Sequence, residues 1–199
     1  MILVEQATVP AAALPVAEFR DYLRLGTGFA DAAEQDGVLE TCLRGAIAAI
    51  EARTGKAVLR RAFQWSVTAW RDLSRQVLPV APVAAITRLA IVERSGTEAE
   101  IAPSRYALER DTHRPALVAQ GFLLPSIPLG GSAEITFEAG YGAAWTGVPA
   151  DLRKAVFALA ASYYENRHGA TDGAEGFPAE VNALLVPHLN LRLFGGGRR

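Results

Sequence analysis

The spacing of apolar side chains switches between a helical and a strand period along this chain, and each switch predicts a different kind of element. Phe19, Tyr22 and Leu23 fall on one face at i, i+3 and i+4, which predicts a short helix over 16–25 closed by Gly26. Leu39, Leu43, Ala46, Ile47 and Ile50 then draw a single apolar stripe, so a long helix is expected over 31–54. Asp31, with Glu34 three residues on, has the form of a capping box. Asp36 and Glu40 add further carboxylates to the end where the helix dipole favours anions. Gly55 stands where a left-handed C-terminal cap belongs.

Beyond residue 58 the period falls towards two. Leu59, Phe63, Trp65 and Val67 are apolar while positions 60, 64, 66 and 68 are polar, the pattern of a strand with one buried face. Further strands are expected at 85–93, 106–109, 116–118 and 133–139. Pro79, Pro82, Ser95-Gly96, Pro103, Pro115, Pro125, Pro128 and Gly130-Gly131 separate them. Short strands punctuated in this way predict a small antiparallel sheet or barrel.

The helical period returns after Pro149, where Leu152, Val156, Leu159, Ala160 and Tyr163 form a stripe that runs to about residue 168. A Gly-rich loop at 169–176 leads to a last apolar segment over 178–194, which Pro187 must kink or split. The whole pattern predicts an α+β fold. Residues 1–56 and 141–199 form a helical core with a C-terminal arm, carrying helices near 16–25, 31–54, 149–168 and 178–194. An antiparallel β-rich subdomain is inserted at 57–140.

Composition narrows the function. The 199 residues carry a net charge of −1 with 21% charged side chains. That excludes a disordered acidic or basic protein and lacks the electrostatic footprint of a nucleic-acid module. Of the 20 basic residues, all but Lys56 and Lys154 are arginine, a residue that grips carboxylates with two prongs and is enriched at interfaces, although a GC-rich coding sequence would have the same effect. Cys42 is the single cysteine and lies on the apolar stripe, so it reads as core, with no disulfide or cysteine zinc cluster. The start, Met1-Ile-Leu-Val-Glu5, lacks the basic region of a signal peptide. The longest apolar stretch, Val77–Ile86, is far too short to cross a membrane, so a soluble intracellular protein is expected.

Catalytic chemistry is hard to find. His113, His168 and His188 are scattered, and Glu165 with His168 makes one E-x-x-H where a di-iron site needs two. No phosphate cradle or nucleophile elbow occurs in its proper context. Trp65 reads as sheet core, whereas Trp70 and Trp145 stand near element ends and fit either core or binding anchor. No catalytic, cofactor or metal residue is assigned. The remaining signal is Leu184–Phe194, apolar almost to the chain end. It is either a helix docked on its own core or an arm that buries Leu191, Leu193 and Phe194 in a partner, worth on the order of 5–8 kcal/mol before ordering costs. The loop at 169–176 would let such an arm swing.

Three stretches resemble a known family: Gly140-Tyr-Gly142, Pro149-Ala-Asp-Leu-Arg-Lys-Ala-Val156 and Ala161-Ser-Tyr-Tyr-Glu-Asn-Arg167. They are similar to the head–tail connector (adaptor) proteins of long-tailed bacteriophages and gene transfer agents, over about residues 16–168. The resemblance implies a non-enzymatic protein of the head–tail junction, made in the bacterial cytoplasm. It forms a twelve-fold homo-oligomeric ring beneath the portal protein and bridges it to a stopper or tail-terminator protein. DNA passes through the lumen without sequence-specific binding, and no membrane or cofactor is involved. Because the family's C-terminal segment commonly reaches the portal, Leu189, Leu191, Arg192, Leu193 and Phe194 are the candidate portal contacts, with Arg198 and Arg199 adding salt-sensitive attraction. A ring of this kind uses head-to-tail interfaces built from two different patches. The alternative is a small-ligand enzyme or binding domain with a cleft between sheet and helices, with Glu165, His168 and Trp145 near its mouth.

Overall fold

The computed structural model describes residues 1–25, 32–166 and 177–190, with side chains from residue 35 onward in the long helix. The chain opens with strand β1 (Ile2–Glu5) and helices α1 (Val16–Tyr22) and α2 (Ala32–Thr54). Strands β2 (Arg61–Val67), β3 (Arg75–Val77), β4 (Val83–Val92) and β5 (Glu98–Glu100) follow. Next come β6 (Tyr106–Glu109), β7 (Ala116–Ala119) and β8 (Ser132–Ala139), and then helices α3 (Ala150–Glu165) and α4 (Ala179–Leu185).

The predicted stripes become the helical core. Leu39, Leu43, Ala46, Ile47 and Ile50 of α2 are buried, as are Leu152, Val156, Leu159 and Ala160 of α3. Gly55 ends α2 at φ +68°, a left-handed conformation that suits glycine, and its N–H donates to the Glu51 carbonyl. Phe19 of α1 is fully buried with its ring centroid 5.5 Å from that of Phe157 on α3. Cys42 is buried too. The expected cap at Asp31, the Glu34 side chain, the closing Gly26 and the loop at 169–176 lie outside the described residues.

The strands form two antiparallel sheets. The larger has the order β1-β2-β8-β4-β5 and the smaller β3-β7-β6. Phe63, Trp65 and Val67 point into one apolar cluster with Leu89, Ile135 and Phe137, and the Phe63 and Phe137 rings lie 5.7 Å apart. The five predicted strand regions are all strands. Three further strands, β1, β3 and β5, had no sequence signal. Each is three or four residues long, and β1 and β5 are exposed throughout. Residues 2–5, grouped by sequence with the helices, pair with β2 instead.

Pro187 does split the last apolar segment. Helix α4 stops at Leu185 and a 3₁₀ turn covers Val186–His188. Val181 and Leu185 are buried in the helical cluster, so this part of the segment docks on its own subunit.

Candidate assembly surfaces

The junction between sheet and helices is built around Gly140-Tyr-Gly142. Gly140 has φ +134°, and a Cβ there would stand 2.4 Å from the Arg60 Cα, so β8 can leave the sheet along this path only with glycine. The Gly142 carbonyl accepts the Arg60 N–H at 2.8 Å. On the same junction Arg61, with its side chain 10% exposed, makes two bonds to Glu51 of α2 and reaches Glu5 of β1 at 2.7 Å. Burial opposes the guanidinium charge, but the bonds and charges of Glu51 and Glu5 outweigh it and raise its pKa. Arg61 thus ties the first strand, the long helix and the sheet together.

Three residues far apart in sequence close a latch over α4. The His188 ring is buried, with one nitrogen 2.6 Å from Asp151 Oδ2 and the other 3.1 Å from the Tyr141 hydroxyl. Burial alone would raise the Asp151 carboxyl, but the hydrogen bonds from His188 and the Leu152 N–H prevail and hold it below its ordinary value. The Tyr141 hydroxyl is shifted up, first by burial and then by the Asp151 charge. Outside the latch, Lys154 pairs with Glu180 across the α3–α4 contact at 2.8 Å. The latch pins the root of the C-terminal segment to the sheet–helix junction.

Of the candidate portal contacts, Leu189 is half-buried just beyond this latch. Leu191, Arg192, Leu193, Phe194, Arg198 and Arg199 lie outside the described residues. Within the 184–190 stretch Val186 is 59% exposed, while Leu185 and His188 belong to the body.

Other apolar side chains face outward. Phe122 is 97% exposed and Leu129 fully exposed, with Leu73 and Leu123 at 61% and 57%. Leu73 and Leu124 are joined through a backbone hydrogen bond of 2.7 Å, so Leu73, Phe122 and Leu123 sit on adjoining segments beside the smaller sheet. Solvated apolar groups gathered in this way mark interaction surfaces. A groove of about 490 Å³ runs between the larger sheet's first edge and β3, and Arg71, Arg75 and Arg114 line it. Sequence reasoning missed this groove because its arginines come from separate loops that only the fold brings together.

The cleft expected of a ligand-binding domain does not form around its named residues. Trp145 is buried, with its ring stacked on Phe157 at 5.4 Å, while Glu165 is exposed at the end of α3 and His168 lies outside the described residues. Trp65 is sheet core as expected, and Trp70 donates its ring N–H to the Pro125 carbonyl at 2.7 Å. Among the described residues no group of three or more His, Cys, Asp or Glu side chains could hold a metal ion, and no helix is long and apolar enough to cross a membrane.

No family model and no curated protein matches the chain. Solved structures do. A chain of "Neck of empty GTA particle computed with C6 symmetry" is 50% identical with a TM-score of 0.89, over 98% of this chain and 99% of that one. A chain of "Virion of native gene transfer agent (GTA) particle" is 51% identical at TM-score 0.87, with the same coverage. A chain of "Neck of native GTA particle computed with C12 symmetry" is 48% identical at TM-score 0.84, again over 98% and 99%.

Proposed function

The chain belongs to the head–tail connector proteins found in the neck of gene transfer agent particles, and we propose that it is the adaptor ring between portal and tail. Its role is structural and its place is the head–tail junction of a phage-like particle. The observation that carries this is near-full-length similarity at 50% identity to a chain of a particle neck. Related necks with C6 and C12 symmetry support a ring oligomer. In our reading the ring has twelve copies, and one face meets the portal while the other meets a stopper or tail-terminator protein. DNA crosses the lumen without being held. A net charge of −1 suits that task, since a lumen that gripped phosphates would retard DNA passage. The protein performs no catalysis.

The portal contact falls to the C-terminal arm, Leu189 together with Leu191, Arg192, Leu193 and Phe194, and Arg198 and Arg199 add long-range attraction. The helical core with its arm and the inserted β-rich subdomain divide the labour, the arm reaching the portal and the sheets meeting neighbours. Because Leu185 and His188 are part of the folded body, the informative truncation removes residues 191–199 and no more. The test compares full-length and truncated protein for co-purification with the portal protein, alongside thermal melts of each. Truncated protein that melts normally but no longer binds portal is expected. Unaltered portal binding would remove the arm from the interface.

A further inference from the structure

The larger sheet ends on two free edges of opposite chemistry. At one end is β1, whose Met1, Ile2 and Val4 are 75%, 64% and 49% exposed. The arginine-lined groove borders this edge, with Met1 in its wall. Arg75 is held by Glu109, whereas Arg71 and Arg114 have no ion-pair partner among the described residues. Trp65, which also lines the groove, is 2% exposed, and its indole N–H lacks an acceptor among the described residues. This edge presents apolar side chains and a surplus of donors.

At the other end is β5, where Glu98 and Glu100 share one arginine, Arg88, and remain 49% and 66% exposed. The fully exposed Leu129 stands nearby, on a turn whose Gly130 lies against Arg94 at the tip of the β4–β5 hairpin. This edge presents carboxylates beside an apolar side chain.

Register places the two edges at one level. Ile2 pairs with Ser66, Ser66 with Glu134, Glu134 with Ala90 and Ala90 with Glu100, a single row across the sheet. Four antiparallel steps also leave β1 and β5 running in the same direction. A rotation about an axis along the strands therefore carries the β5 edge of one copy to the β1 edge of the next without any shift along the strands. Closed rings require such a rotation without translation. Two edges this short form few backbone bonds, so side-chain charge must select the partner. Like edges repel: β1 against β1 would set arginines against arginines.

We infer that the β1 edge and its arginine groove receive the β5 edge of a neighbouring copy, with Glu98 and Glu100 accepting from Arg71 and Arg114. This rests on the ring reading above and supplies its two patches. The test uses two reversed proteins, Arg71→Glu with Arg114→Glu, and Glu98→Arg with Glu100→Arg, expressed in particle-producing cells that lack the native copy. Copies per particle are counted by mass spectrometry against a capsid protein, and each purified variant is melted. Each reversed protein alone should fall by about tenfold or more, the factor expected for about 1.4 kcal/mol per contact. Expressed together they should return to the wild-type count, alternating around an even-numbered ring. If either alone incorporates normally, or if the pair fails to rescue although both melt like wild type, the edge pairing is overturned while the neck reading stands. Wild-type protein missing from particles would instead overturn the neck reading. Where a reversed protein melts early, Arg71→Gln with Arg114→Gln and Glu98→Gln with Glu100→Gln are counted in its place. Loss of incorporation by either supports the pairing, and normal incorporation by both overturns it.

Discussion

Lys56 carries a test of how tightly the sheet is joined to the helices. It follows the cap of α2, is 1% exposed, and its ammonium donates to the Thr112 carbonyl at 2.6 Å. That bond holds the loop from which Arg114 reaches the groove. Burial lowers the Lys56 pKa from 10.5 to about 8, against the opposing pull of Asp111. One pKa unit corresponds to about 1.4 kcal/mol, so keeping this lysine charged in the fold at neutral pH costs roughly 3 kcal/mol. Between pH 8 and 10.5 the unfolded chain binds the extra proton, so the native state gains stability as pH rises through that window. Lys56→Met keeps most of the buried stem and removes the charge. At pH 7 the variant should be more stable by about 1–2 kcal/mol, the ionisation cost less one lost hydrogen bond to a carbonyl. That advantage should vanish or reverse by pH 10. Tyr106 and Tyr141, both shifted up chiefly by burial, destabilise the fold at still higher pH, but they are common to both proteins and cancel in the difference. Urea unfolding of both proteins at pH 7, 8, 9 and 10 gives the two curves. A difference that stays constant with pH would refute the reasoning, because Lys56 would then titrate like a solvated lysine.

Gly140→Ala forces a Cβ to 2.4 Å from the Arg60 Cα at a positive φ, so a loss of about 3–5 kcal/mol is expected, read as a collapse of the urea midpoint. Arg61→Met strands Glu51 and should cost about 3–5 kcal/mol by the same measurement, with Arg61→Lys recovering part of it. His188→Ala opens the latch and should cost about 1–3 kcal/mol in thermal or chemical melts. Asp151 has a lowered pKa in the fold, so its contribution is complete above the ordinary carboxylate range and is lost as pH falls through its native value. Asp151→Asn should therefore flatten the acid limb of the stability curve and leave stability at pH 8 to 9 with the same slope as wild type.

The elements legible in the sequence were those whose own pattern is enforced by burial. The α2 and α3 stripes and the alternation of Phe63, Trp65 and Val67 each face one core, so the period survives in the residues. Strand β5 reads Glu-Ala-Glu and β1 reads Ile-Leu-Val-Glu with every position exposed, so neither shows one buried face. A strand whose outward side chains meet other molecules loses the alternation that would reveal it. The latch was illegible for another reason. Tyr141 and Asp151 lie 47 and 37 residues from His188, and such pairings follow from how α4 folds back on α3, not from local spacing. Trp145 was ambiguous in sequence because it sits in a 3₁₀ turn between elements, and only the stacked Phe157 places it in the core.

The residues that carried the family resemblance turn out to share one mechanical task. Gly140 lets β8 pass within contact of the Arg60 backbone, Tyr141 reaches the latch histidine, and Asp151 meets the same ring from the first turn of α3. The start of α3, the exit from the sheet and the root of the C-terminal segment therefore meet at a single point. Arg61 brings β1 to that region through Glu5, and Lys56 brings in the loop that bears Arg114. A contact made by the arm and a contact made by the sheet edges thus refer to the same rigid joint. For a connector, whose task is to hold two assemblies in fixed relation, this joint is a structural counterpart of an active site: it catalyses nothing, but the geometry of both contacts depends on it.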